Sequence, residues 1–470
     1  MKNFRKFFSI ILIILCLSLF IYIIFRSQLT FEGKNNDYYN KYYYIIFFVF
    51  LFSLINFKLS DALSFKISAI LISIILAFYA FEITLYFIQS SNKISANILK
   101  DQNKLLQKKY SDYDIRTRLE VYLDEKKKDP NVAVLPVPLT LADQNEKNLL
   151  LLSGHSKIKT VFCNELGFYI IYKSDRYGFR NPNEEWNKEE IEYLIVGDSL
   201  AHGMCVNEID TVSGWLRENL KNKSQNGVLN LAMWGNGPHI MYATLKEYLN
   251  LKKVKRVLWL HSQGNDFTDI SFEKRSDILN NYLSDNQFSQ NLAQRQDEID
   301  KKVLNLIDNR QIEGQEGDMF ESKMTFQNIK QIIKLTRLRK LTLDKKFFKS
   351  RKQPLLENVS TYKEILIKAI ELSDINNSKF YFVDLPDVWG RKYPEQTHLL
   401  WDEKVIATNQ IKEFLQEKEV PYIDIYEKVF KNHNDVMSLF PYRGYGHFNG
   451  IGYKMTAEAI FNEIENIENN

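Results

Sequence analysis

Apolar residues crowd the first ninety positions of the chain and then thin into short, separated runs. Phe7–Phe25 is nineteen residues without a charge, Tyr42–Phe57 is sixteen more, and Ile67–Ile88 is twenty-two with one charge, Glu82. A membrane-spanning helix needs ~20 apolar residues. The three runs therefore predict a membrane anchor over residues 1–90 with three transmembrane helices, the second short but flanked by Tyr42, Tyr43 and Tyr44 at an interface. No small-x-small cleavage site follows Phe25, so the first run reads as a span rather than a cleaved leader. Lys2, Arg5, Lys6, Lys58 and Lys66 fall on one side of these spans, and Arg26, Lys34 and Lys41 on the other. That modest bias predicts a cytoplasmic N-terminus, which puts everything after Ile88 outside the cytoplasm. Glu82 is expected near the outer headgroups, where its carboxylate reaches water.

Residues 91–185 form a polar stalk and a β-hairpin region. Two alternating runs within Lys157–Tyr172 flank Asn164-Glu165-Leu166-Gly167, the pattern of a hairpin. From residue 186 to 470 the pattern changes again. Short apolar runs at Tyr193–Val196, Val228–Leu231, Val257–Leu260, Phe380–Val383 and Tyr422–Ile425 alternate with amphipathic helices. Strand–helix alternation predicts an α/β fold, a parallel sheet of five strands with helices on both faces. A charged, helical insertion at about 270–372 interrupts it, with a basic concentration between Lys330 and Lys352. That stretch reads either as a lid or headgroup-facing surface or as a solvated helical face.

Composition narrows the function. Lys+Arg 62 against Asp+Glu 58 gives a net charge of +4, too small for a dedicated nucleic-acid binder. Three cysteines do not make a four-cysteine zinc site, and no metal-ligand spacing, phosphate loop or dinucleotide fingerprint occurs, so no cofactor is expected. Outside the cytoplasm Cys163 and Cys205 could form a bridge from the hairpin to the loop after Ser199, or remain two free buried thiols.

Ligands of parallel sheets bind at the carboxyl ends of the strands. The first run ends in Gly197-Asp198-Ser199-Leu200, which exposes a hydroxyl and a backbone N–H where a strand turns into a helix. The second is followed by Trp234-Gly235-Asn236-Gly237-Pro238, where Gly235 or Gly237 can bring an N–H close to a ligand. The third is followed by Gly264-Asn265-Asp266, whose side-chain amide can donate to an oxyanion, and Gly446-His447-Phe448-Asn449 offers a base.

These four blocks, in this order, resemble the SGNH hydrolases, also called GDSL esterases and lipases, over about residues 190–465. Ser174–Asn181 is similar to the lead-in of membrane-anchored envelope members. The resemblance implies a three-layer α/β/α, flavodoxin-like domain. It implies Ser199 as nucleophile, His447 as base, and an oxyanion hole from the Ser199 and Gly235 N–H groups and the Asn265 side chain. The family's Asp three residues before the histidine is replaced by Gly444. A Ser-His dyad is therefore expected, with a backbone carbonyl, Asp435 or Asp424 as possible orienters of the imidazole. His202 and His261 also follow strand ends but do not fit the base position. The expected protein is a bacterial inner-membrane, multi-pass hydrolase with a periplasmic catalytic domain, acting as an esterase or deacetylase on an acylated glycan or lipid. Its alternatives are an O-acyltransferase component working with a membrane acyltransferase partner, and a non-catalytic acyl-glycan-binding domain.

Overall fold

The computed structural model describes residues 4–30, 36–90, 104, 106–135, 148–221, 223–308, 326–338, 355–392, 401–444 and 446–469. The chain divides into two compact units, Met1–Ser91 with Lys323–Lys352, and Asn92–Ser322 with Gln353–Asn470.

The first unit is helical. Helices Phe4–Ile24, Asn36–Asn56 and Asp61–Ser90 cover the three apolar runs. Among the described residues two segments, Lys6–Leu29 and Asp61–Phe87, are long and apolar enough to cross a membrane, against the three expected. The middle helix falls short because its first turns carry Asn36, Asp37, Asn40 and Lys41. It packs antiparallel to the first helix, with Asn56 Nδ2 donating to Ser9 Oγ at 2.9 Å and Ser27 Oγ 2.8 Å from Tyr43 Oη.

The second unit is built on two sheets. The smaller has β1 (Val132–Val134) parallel to β2 (Lys159–Val161), and β2 antiparallel to β3 (Ile171–Lys173). The predicted hairpin is thus present. The segment read as a stalk supplies β1 and the helix Arg118–Lys128, which opens with a capping box between Thr117 and Glu120.

The larger sheet has five parallel strands: β4 (Glu190–Gly197), β5 (Gly227–Asn230), β6 (Lys253–Ser262), β7 (Lys379–Leu385) and β8 (Tyr422–Asp424). Their order is β5-β4-β6-β7-β8, the doubly wound flavodoxin-like order. The near-continuous apolar strands follow from burial on both faces. Tyr193 and Ile195 of β4 point into one core while Leu194 and Val196 point into the other. Helices Val212–Leu220 and Gly450–Asn469 cover the first face; Pro238–Tyr248, Val359–Ile375 and Trp401–Glu417 cover the second. Each fully buried large side chain, such as Trp259 or Phe382, contributes about 1.5–3 kcal/mol. The sheet is therefore a rigid platform for whatever its carboxyl edge carries.

Candidate active site

Gly197 ends β4 beneath the helix Ser199–His202. A Cβ at Gly197 would sit 2.4 Å from the Ala201 Cβ, so only glycine lets this helix fold back onto the strand. Asp198 caps the turn, accepting the Leu200 N–H at 2.9 Å, and Ser199 is lifted to the carboxyl edge of the sheet.

His447 lies just before the helix Gly450–Asn469, and its Nε2 is 2.9 Å from Ser199 Oγ. The two side chains, distant along the chain, meet as the sequence predicts. The imidazole's other nitrogen, Nδ1, is 2.8 Å from Glu165 Oε1, and Glu165 Oε2 accepts the His447 backbone N–H at 3.1 Å. The acid is thus on the hairpin, in a position the sequence reading had not considered. Gly444 is no gap in the arrangement, and neither proposed aspartate supplies the orienter. Asp435 is paired with Arg443 at 2.6 Å, and Asp424 accepts the Glu427 N–H at 3.1 Å.

Glu165 is held from several directions. The hairpin pairing runs to Ile170 N–H donating to the Cys163 carbonyl at 2.8 Å, so residue 165 falls at the tip. Asn164 Oδ1 accepts the Gly167 N–H at 2.8 Å, and Tyr442 Oη donates to the Leu166 carbonyl at 2.8 Å. The disulfide Cys163–Cys205 ties the tip to the loop that follows the Ser199 helix. Residues 174–181 clamp the same region. Buried Asp175 accepts from Asn181 Nδ2 and Trp186 Nε1 at 2.9 and 2.8 Å, and Arg180 donates to the carbonyls of Gly203 and Val206.

The electrostatics fit the geometry. Partial burial would by itself raise the Glu165 pKa, but the His447 charge and hydrogen bonds outweigh it and hold the carboxyl below its usual range. For His447, burial acts to lower the pKa, and the Glu165 carboxylate reverses the sign, leaving the imidazole raised above 6.5. Asp198 is raised by burial; its second oxygen lies 3.4 Å from Ser199 Oγ, so His447 is the better partner. His202 is fully buried, accepts the Trp234 N–H at 3.3 Å, and is held neutral by burial. Burial likewise pushes His261 down to about 4, between Asp266 and Tyr362. Neither can serve as the base.

The donor positions are also ordered. Gly237 donates its N–H to Glu273 Oε1 at 2.8 Å, and the same carboxylate caps the following helix through the His239 N–H. Gly235, in the left-handed region at φ 73°, has no acceptor on its N–H among the described residues, and neither does Ser199. The choice left open between the two glycines therefore falls on Gly235. Asn265 Oδ1 accepts from Ser262 Oγ at 2.8 Å, and its Nδ2 donates to Asp269 at 2.6 Å. These bonds fix the amide's orientation, with its Nδ2 group also toward buried Asp198. No group of His, Cys, Asp and Glu among the described residues could hold a metal ion.

No protein-family profile matches the chain, and no curated protein sequence matches it at significance. Solved structures similar to it include a psychrotrophic esterase from Pseudoalteromonas sp. (11% identity, TM-score 0.29, covering 60% of this chain and 100% of that one). A lipase/acylhydrolase from Enterococcus faecalis is similar at 13% identity and TM-score 0.32, over 59% of this chain and 96% of that one. A member of the lipolytic G-D-S-L family from Veillonella parvula is similar at 12% identity and TM-score 0.31, over 58% and 97%. Likeness at this level assigns no chemistry; the reading below rests on the side-chain geometry.

Proposed function

We propose that this chain is a membrane-anchored serine esterase or deacetylase of the SGNH type, acting on an ester of an envelope glycan or lipid. The observation that carries the reading is the continuous hydrogen-bonded line Ser199 Oγ–His447 Nε2, His447 Nδ1–Glu165 Oε1. Ser199 Oγ attacks the ester carbonyl while His447 Nε2 takes its proton. Glu165 stabilises the imidazolium and holds the tautomer in which Nε2 is the acceptor. The tetrahedral oxyanion receives N–H groups from Ser199, Gly235 and the Asn265 side chain. His447 then protonates the departing alkoxide. A water molecule, deprotonated by the same imidazole, releases the acid from the acyl-serine. If a sugar hydroxyl takes the place of that water, the same residues transfer the acyl group instead.

The extracytoplasmic location draws support from the Cys163–Cys205 disulfide, because cytosolic thiols are kept reduced. With a cytoplasmic N-terminus, that location needs the helix Asn36–Asn56 to cross beside its antiparallel neighbour as a third span. A reporter active only outside the cytoplasm, fused after Asn470, should be on; an inactive reporter would overturn that topology.

The test of the chemistry is a fluorophosphonate label on the full-length protein. Wild type should be labelled at Ser199, Ser199→Ala should not be labelled, and His447→Ala should react far more slowly. Absence of labelling in the folded wild type would favour a non-catalytic acyl-glycan-binding role.

A further inference from the structure

Glu82 does not reach water. Its side chain is fully buried within the first unit, near the end of the helix Asp61–Ser90. Its partners come from the basic insertion, 255 residues further along. Glu82 Oε1 accepts the Arg337 N–H at 3.0 Å, and Oε2 accepts the Leu338 N–H at 2.7 Å. The Arg337 guanidinium adds a charge 3.5 Å away and lies 4.8 Å from the centre of the Tyr86 ring. One turn earlier on the same helix, Tyr79 Oη donates to the Ile333 carbonyl at 3.0 Å.

The insertion's local structure fits this docking. Phe326–Ile333 is a helix with apolar residues at 326, 329, 332 and 333 and polar residues between them. Leu335, at φ 50°, then turns the chain and delivers two successive N–H groups to the carboxylate. Ile329 and Ile333 remain 43% and 62% exposed. Phe78, Phe81 and Phe87 of the helix Asp61–Ser90 are exposed as well. Lys330 and Lys334 belong to the same segment as Ile329 and Ile333.

We propose that residues 326–338 form an interfacial helix, pinned to the membrane anchor through Glu82, whose apolar face enters an anionic bilayer surface. The inference rests on the membrane reading above. Two physical facts support it. A carboxylate about five residues from the end of a span is costly in lipid unless paired, and here two N–H groups and a guanidinium pair it. An amphipathic helix with isoleucines on one face and cations beside them has the chemistry of a bilayer interface, where the cations meet anionic headgroups.

The experiment uses full-length protein in phosphatidylcholine vesicles with and without phosphatidylglycerol. Cys16 is replaced by serine, and an environment-sensitive fluorophore is attached through Ile333→Cys or, separately, Ile83→Cys. Brominated acyl chains then report contact with lipid. Quenching is expected at both positions, and at 333 it should increase with the anionic lipid. In Glu82→Gln it should fall at 333 while holding at 83; Arg337→Ala gives an independent variant for the same comparison. Quenching at 83 with none at 333 would overturn this inference and leave the anchor intact. No quenching at either position would overturn the membrane reading itself. Quenching at 333 that ignores the anionic lipid would overturn the headgroup interaction.

Discussion

Replacing Glu165 by glutamine tests the relay at the point where a structural and a chemical role part company. Each carboxylate oxygen of Glu165 accepts one proton from residue 447, Oε1 from Nδ1–H and Oε2 from the backbone N–H. Glutamine has one acceptor and one donor. The backbone N–H cannot change its role, so the glutamine oxygen settles on it and the NH2 faces Nδ1. Nδ1 must then be the acceptor, which puts the imidazole proton on Nε2, facing Ser199 Oγ. That tautomer cannot take the serine proton. In the Ser-His-Asp template the equivalent change lowers kcat by ~10⁴. At 1.36 kcal/mol per decade that is about 5 kcal/mol of barrier. Alanine at 165 removes the acceptor but leaves the tautomer unforced, so Glu165→Gln should be no more active than Glu165→Ala, despite being nearly isosteric. Hydrolysis of 4-nitrophenyl acetate, with circular dichroism to confirm folding, measures the difference. Glutamine activity within a few-fold of wild type, with alanine much lower, would show that Glu165 merely fills space, and the relay would be wrong.

Four further outcomes are expected. The acid limb of kcat/KM should reflect a His447 pKa above 6.5, since the Glu165 charge raises it, with activity present above that pKa and lost as the pH falls through it. In Glu165→Ala the charge is gone and burial remains, so the limb should move to lower pH; a profile that stays put would remove Glu165 from the coupling. Asn265→Ala should cost about 10²–10³ in kcat with little change in KM, if its amide serves the oxyanion; an unchanged kcat would exclude it. Replacing Cys163 and Cys205 together by serine opens a loop of 42 residues, which corresponds to about 4 kcal/mol of chain entropy in the unfolded state. The variant should melt earlier and lose activity as the tip bearing Glu165 loosens; full activity at a temperature where it stays folded would show that the clamp at 174–181 suffices. Gly197→Ala should destabilise by about 1–3 kcal/mol through its clash with Ala201, read from a denaturant midpoint.

The larger sheet was legible because its strands β4 to β7 are largely buried on both faces and carry apolar runs, with β8 at the edge burying Ile423. Ser199, His447 and the donor loops were legible because each lies directly after a strand or before a helix, where short blocks carry the signal. The acid was not. Spacing along the chain locates partners on the same loop, and Glu165 meets His447 across 282 residues through a separate small sheet. The signal that leads to it was already in the chain. A bridge from Cys163 to Cys205 brings the turn Asn164–Gly167 beside the Ser199 loop, and Glu165 is that turn's acidic residue. The partner of Glu82 escaped for the same reason, since an isolated charge in an apolar run carries no address for a segment 255 residues later. The middle run, Tyr42–Phe57, is less apolar than its neighbours once the polar first turns of its helix are counted, and its aromatic flank alone does not show that.

A crystal structure of the full-length protein after reaction with a fluorophosphonate tests the central claim most directly. The account predicts phosphorus bonded to Ser199 Oγ, and a phosphonyl oxygen about 2.7–3.1 Å from the N–H groups of Ser199 and Gly235 and from Asn265 Nδ2. His447 should still be bonded to Glu165 in that adduct. Phosphorus on another residue, or a phosphonyl oxygen turned away from those donors, would contradict it.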